Sequence, residues 1–291
     1  MELNSQTVST PPRAAATVVV LRDGKHGLEV LLIQRHSQSD VLGGAHVFPG
    51  GKVDAADAGM DALALLDQAP TALHGRLGEP DLSAVEAAAM FVAAAREAFE
   101  ESGILLTDDA SAEQLKQARE NLLAGNSFAT VLAETGLRLA SNALLPWSRW
   151  ITPKVPSVMN KRFATRFFVT AMPPQQMARH DDHEATASVW LTPRTALVRY
   201  WANQIELAPP QIMSLVALAG HSNVSSVLKA AMAQSPPLIA PEPFEENGTR
   251  ITCYPGDPRH SAPLRVLPGP TRLIYRNHRF EPEQGFNAFF D

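Results

Sequence analysis

Three carboxylates constrain this chain more than anything else in it: Glu97, Glu100 and Glu101, in Arg96-Glu97-Ala98-Phe99-Glu100-Glu101-Ser102-Gly103-Ile104. If the segment is helical, their i, i+3, i+4 spacing puts all three on one face. The helix is signalled independently. Ser83-Ala84-Val85-Glu86 has the form of a capping box. The run from 84 to 95 is Ala-rich, with Val85, Met90, Phe91 and Val92 available for burial, and Gly103 is a stop signal. Acids crowded into the last turns repel one another and oppose the helix dipole, so local stability does not account for their placement. They form either a solvated face or the surroundings of something multiply positive. An all-oxygen anionic cluster is what Mg²⁺ or Mn²⁺ prefers.

Upstream lies Phe48-Pro49-Gly50-Gly51-Lys52-Val53-Asp54-Ala55-Ala56-Asp57, whose Gly pair marks a turn or a close backbone approach. Together with the acidic helix it resembles the signature of the Nudix hydrolases, G-x5-E-x7-R-E-U-x-E-E-x-G-U with U apolar. Gly51 takes the opening position and Asp57 the first acidic one. Arg96, Glu97, Ala98, Glu100, Glu101, Gly103 and Ile104 match the second half in order. There are two departures. Asp57 replaces a Glu, and 38 residues (58–95) stand where the pattern has seven. A branch of the family with an interrupted box, the peroxisomal and mitochondrial coenzyme A diphosphatases and their bacterial relatives, is similar in this respect. Leu31-Leu32-Ile33-Gln34-Arg35, Gly44-Ala45-His46-Val47-Phe48, Trp147-Ser148-Arg149-Trp150-Ile151-Thr152-Pro153, Arg162-Phe163-Ala164-Thr165-Arg166-Phe167-Phe168 and Ile205-Glu206-Leu207-Ala208-Pro209-Pro210-Gln211 look like segments of that branch. The resemblance spans roughly residues 15 to 215.

The resemblance implies a mixed β-sheet sandwiched between helices (α/β, in an α/β/α arrangement) and hydrolysis of a diphosphate linkage with Mg²⁺ or Mn²⁺. By the same resemblance Glu97 and Glu101 are the principal metal ligands, Glu100 adds a third carboxylate and the carbonyl of Gly50 completes the site. Arg96 would hold a carboxylate in place, a role suited to its rigid fork; the bland alternative is that it only offsets the acidic face. Glu184, in His180-Asp181-Asp182-His183-Glu184, is the candidate general base, although a solvated polar loop reads the same way. His46 and Lys52 are candidates to face substrate phosphates, against plain packing and plain solvation. Asp54 and Asp57 are candidates to support the loop or a metal. The substrate implied is a nucleotide, coenzyme A or an acyl-coenzyme A. Many coenzyme A-cleaving members have an Arg eight residues before the Phe-Pro-Gly-Gly run, where this chain has Asp40. ADP-ribose and dinucleotides of the NADH type therefore stay open. So does a Nudix fold kept as a non-catalytic ligand sensor, although such proteins usually lose a box acid and here the set is intact.

Composition narrows the rest. A net charge of −5 with no Lys/Arg run gives no reason to expect nucleic-acid binding. A single cysteine, Cys253, precludes an internal disulfide. No apolar stretch is long enough to span a bilayer, residues 1–13 lack the apolar core of a secretory signal, and the last residues are not a peroxisomal tripeptide. Cytoplasm is the default expectation.

Residues 1–13 read as a flexible tail and 14–235 as the catalytic unit, with insertions at 58–88 and 107–140. Residues 236–291 read as a β-rich extension. Strands are predicted at 14–22 and 28–35, joined as a hairpin at Asp23-Gly24, then at 147–152, 162–171 and 188–191. Helices are predicted within 62–66, at 111–124 and 128–135, from Thr192-Pro193 onward, and at 209–219 and 224–233. In the extension, Asn247-Gly248 is a turn signal, and 249–254 and 272–280 read as strands. This piece either crosses as a β-arm to a second copy, making a homodimer, or packs on its own core.

Overall fold

The computed structural model describes the chain apart from residues 1–2, 5, 40–41, 157–159 and 179–184. In chain order its strands and helices are β1 (Arg13–Gly24), β2 (Gly27–Arg35), β3 (His46–Val47), β4 (Gly50–Lys52), α1 (Met60–Ala64), α2 (Pro70–Leu77) and α3 (Ala84–Ser102). Then follow α4 (Ala112–Leu123), α5 (Phe128–Thr135), β5 (Leu145–Ile151), β6 (Phe163–Ala171), β7 (Ala185–Leu191), α6 (Pro193–Trp201), α7 (Pro209–Leu218) and α8 (Val224–Ala233). The C-terminal region holds β8 (Leu238–Ile239), β9 (Glu242–Glu246), β10 (Thr249–Cys253), β11 (Arg272–Arg276) and β12 (Arg279–Glu281).

The central sheet is mixed. β1 runs parallel to β6 and antiparallel to β2, and β6 is antiparallel to β5. β1 and β2 pair only from Leu21–Val30 to the turn. Beyond that point they splay, and the gap takes β4, paired to β1, and β3, paired to β2. The Gly50-Gly51 segment is thereby wedged into the middle of the sheet instead of lying on its edge. Gly50 has little choice of side chain there, because a Cβ would sit 2.5 Å from the Ala16 carbonyl oxygen and 2.7 Å from Thr17 Cα.

Strand alternation gives each sheet face its own core. Ala16, Val18, Val20, Leu31 and Phe168 pack with the helices of residues 60–135, and Val19, Leu21, Val30, Leu32, Phe167 and Val169 pack with α6, α7, α8 and the C-terminal sheet. α3 is the main helix of the first layer. Ser83 Oγ accepts the Glu86 amide while the Glu86 carboxylate accepts the Ser83 amide, so the predicted capping box forms. Gly103 closes the helix at φ 66°, where a Cβ would be strained. The box insertion is α1, α2 and the first turns of α3. It is pinned to the sheet by Glu79, which takes a bidentate Arg166 (2.9 and 2.6 Å) and an Arg149 ion pair at 2.7 Å.

Two expected turns differ from what forms. The first hairpin turns at Lys25-His26, with β1 running on through Gly24. Residues 272–280 are not one strand but the hairpin of β11 and β12, because Asn277 and His278 both adopt positive φ, 53° and 58°, as a tight two-residue turn requires. The segment before β1, expected to be a flexible tail, touches the body through Val8 N–H to Lys154 O and Asn4 Nδ2 to Pro156 O.

The C-terminal region packs on the core of its own chain. β8 adds to β5 in parallel, and β9 to β12 form a second antiparallel sheet. Tyr254, Leu273, Phe280 and Phe289 are buried in the second core, and the Tyr200 hydroxyl both accepts the Phe280 amide and donates to its carbonyl. No helix among the described residues is long and apolar enough to cross a membrane. Phe289→Ala should cost roughly 3–5 kcal/mol, the range for emptying a buried aromatic site, in urea unfolding of the dilute protein. A loosely attached arm would lose less than about 0.5 kcal/mol.

Candidate active site

The acids of α3 meet the sheet at β4. Glu97 lies directly over Gly51, so closely that a Cβ on that glycine would collide with its carboxylate. Glu101, 2% exposed, accepts the Gly50 amide on Oε2 at 2.8 Å and Arg35 Nη1 on Oε1 at 3.0 Å. Arg35 comes from the end of β2, so Glu101 joins β2 and the wedged β4 to the helix.

Arg96 organises the other acids. Its Nε and Nη2 grip the two oxygens of Asp57 at 2.8 and 3.0 Å, Nη1 donates to Glu97 (2.9 Å) and Glu100 (2.8 Å), and Nη2 also donates to the Lys52 carbonyl at 2.9 Å. These five bonds use the five N–H groups that a guanidinium has. Burial opposes its charge. The hydrogen bonds to Asp57 and the charges of Glu97, Asp57 and Glu100 outweigh burial and hold the pKa above the ordinary Arg value. Asp57, 2% exposed, sits in a short 3-10 turn that it caps by accepting the Asp54 amide. The shorter acid reaches Arg96 from this turn although 38 residues separate the two in sequence.

A cavity of about 620 Å³ opens beside this cluster. Glu97, Glu100, Glu101 and Arg96 line one end, Gly50, Gly51, Lys52, Ala15 and Thr17 the middle, and Trp150, Phe163 and Phe167 the aromatic floor. Pro209, Pro210 and Gln211 at the start of α7 rim it, and Pro241 and Thr252 of the C-terminal region complete its wall. The strand register explains the continuity of the floor. Lys52 faces Ala15, Ala15 faces Thr165, and Thr165 faces Trp150, so one side-chain row crosses four strands.

The residues expected at the site do not all converge. Glu97, Glu100, Glu101, Arg96, Gly50 and Lys52 share the cavity. His46 is not among the residues lining it: Val47, the next residue on β3, takes the cavity-facing position, and the His46 amide donates to Glu206 O. Burial, and then the charge of Arg199, hold its imidazole below the ordinary pKa, hence neutral at pH 7. Glu184 and Asp40 lie outside the described residues. Arg13, Arg35, Lys161, Gln211 and Thr252 were not singled out from sequence. No local pattern marks them, because only the sheet register and the C-terminal packing bring them here.

The donor set suits a hard divalent cation in kind, since three carboxylates and a strand backbone supply only oxygen. In this arrangement the carboxylates turn to Arg96, Arg35 and the Gly50 amide. Among the described residues no three His, Cys, Asp or Glu side chains converge as a finished metal cage. For Gly50, it is the amide rather than the carbonyl that touches the cluster.

A family model for the NUDT19 Nudix domain matches residues 6–218. The chain belongs to that family. Acyl-coenzyme A diphosphatase NUDT19 of Xenopus laevis is 29% identical over 244 residues, covering 71% of this chain and 64% of the frog protein. Its counterpart in Gallus gallus is 27% identical over 299 residues, covering 84% and 78%. The chain thus spans a little under two thirds of the frog relative's length. A crystal structure of a NUDIX hydrolase from Alicyclobacillus acidocaldarius superposes with a TM-score of 0.59 at 27% identity, covering 79% of this chain and 99% of that one. The fold is therefore the Nudix α/β sandwich, and the signature split by 38 residues is rejoined in space through Asp57 and Arg96.

Arg96→Ala would strand a buried Asp57 carboxylate. Urea unfolding should register a loss of roughly 3–5 kcal/mol, as for one partner removed from a buried pair. A change below about 1 kcal/mol would mean that the network is no stronger than a surface ion pair.

Proposed function

We propose that this NUDT19-family chain hydrolyses the diphosphate linkage of a nucleoside diphosphate derivative, coenzyme A or acyl-coenzyme A foremost, to two monophosphate products. The bipolar cavity carries the reading: a carboxylate wall at one end and an aromatic, Pro-lined half at the other. Its size lies within the few hundred to about 1,000 Å³ of small-molecule sites. A diphosphate joined to an apolar or planar moiety matches that division, and the relatives carry the name acyl-coenzyme A diphosphatase.

Glu97, Glu100, Glu101 and the Gly50 carbonyl would hold Mg²⁺ or Mn²⁺, which when bound screens the diphosphate charge and makes a water acidic. The protein's own contribution is positioning. Arg96 holds Glu97 and Glu100 at a fixed spacing, and Arg35 with the Gly50 amide does the same for Glu101. The Lys52 ammonium pairs with a phosphate oxygen beside them. Trp150, Phe163 and Phe167 take the organic part and exclude water from that side. Glu184 accepts the proton of the attacking water.

The test is hydrolysis of coenzyme A, acetyl-coenzyme A, ADP-ribose, NADH and a nucleoside triphosphate with Mg²⁺, Mn²⁺ or EDTA. Metal-dependent release of 3′,5′-ADP, abolished by EDTA and restored by Mg²⁺, is the expected result. Preference for ADP-ribose or NADH would discard the coenzyme A assignment. Glu97→Gln and Glu101→Gln should each lower turnover by more than the roughly 10–100-fold typical of losing a supporting partner. Glu184→Gln should lower kcat and remove the acidic limb of the pH–rate profile, and an unchanged limb would exclude it as the base.

A further inference from the structure

Five cations, Arg13, Arg35, Lys52, Arg96 and Lys161, line the cavity together with four carboxylates, Asp54, Glu97, Glu100 and Glu101. Arg35 and Arg96 are engaged by carboxylates. Three further cations line the cavity: Lys52, Arg13 and Lys161. Lys52 is next to the acidic cluster, its own carbonyl accepting from Arg96. Arg13 and Lys161 are not.

The register fixes how far away they lie. Gly50, beside Glu101, faces Thr17, and Lys52 faces Ala15. Arg13 continues the same side-chain row on β1, four residues from Thr17, or about 13 Å along the strand at roughly 3.3 Å per residue. Arg13 in turn faces Phe163 on β6, and Lys161 precedes that residue by two. Arg13 and Lys161 therefore both lie at the Phe163 end of the cavity, past Lys52. Arg13 is exposed, so a ligand reaches it without displacing core packing.

Resting on the reading of coenzyme A as substrate, we propose that Arg13 and Lys161 form a subsite for a second anionic group. That group is a terminal phosphomonoester carried on the same nucleotide, one sugar away from the diphosphate. Lys52 serves the diphosphate. Arg13 supplies a planar fork that matches phosphate geometry, and Lys161 supplies a point charge. Coenzyme A carries such a group as its 3′-phosphate; 3′-dephospho-coenzyme A is the same molecule without it. The pair makes these residues determinants of specificity, not of the chemical step.

The experiment compares kcat/KM for coenzyme A and 3′-dephospho-coenzyme A in the full chain with Mg²⁺, for wild type, Arg13→Ala/Lys161→Ala and Arg13→Lys. Wild type should prefer coenzyme A by on the order of 10-fold or more, expressed mainly in KM, as for a charge-assisted contact. The preference should shrink at high salt. In the double variant the ratio should fall towards one, and Arg13→Lys should keep part of it. In wild type, 3′,5′-ADP should inhibit more strongly than AMP, which gives a readout independent of any variant's folding. Equal use of both substrates by wild type, or a preference that survives in the double variant, overturns the subsite and leaves the diphosphatase reading standing. Cleavage of neither compound, with another diphosphate turned over, overturns both.

Discussion

The guanidinium of Arg96 is the constraint on which the site depends. It connects three pieces of chain: the turn holding Asp57, the backbone of β4 at Lys52, and the acidic face of its own helix. Without it Asp57 would be a buried, unpaired carboxylate, and Glu97 and Glu100 would repel each other on adjacent turns. The stability lost by crowding like charges near a helix C-terminus is offset here by one cation in their midst. The same cation fixes the spacing of Glu97 and Glu100.

This linkage accounts for the tolerance of a long interruption. The insertion leaves from the Asp57 turn and returns through the first turns of α3, the helix that carries Arg96, so the Arg96–Asp57 grip ties its two flanks together. The body of the insertion is held elsewhere, by Glu79 on Arg166 and Arg149 and by burial of Leu73 and Leu77 beneath the sheet. Closing a longer loop costs little extra entropy once its ends are fixed. The insertion can thus enlarge the helical layer without moving the acids.

The opposite side of the sheet is completed by residues beyond the family model, which ends at 218. β8 extends the central sheet, and the C-terminal sheet brings Pro241 and Thr252 to the cavity wall. The acidic cluster and Arg96 sit in the part of the chain that the family model covers. One wall of the cavity, at Pro241 and Thr252, belongs to the C-terminal region.

The sequence alone determined what local geometry can encode. The spacing of Glu97, Glu100 and Glu101, the Ser83 capping box and the Gly103 stop follow from helix periodicity and terminal hydrogen bonding, and all appear in the structure. The Gly pair was legible as a close approach, and the split signature identified the fold. What it could not decide were juxtapositions set by register and packing. Arg13 and Lys161 are almost 150 residues apart and reach one cavity because β1 and β6 align in parallel. His46 looked available to a substrate, yet the alternation of β3 gives the cavity to Val47 instead. The hairpin at Asn277-His278 read as one strand because neither residue is glycine, and only the pairing of β11 with β12 forces both into positive φ. A helix face is fixed by residues within one or two turns of each other. A cavity floor depends on strands that meet only after the whole chain has folded.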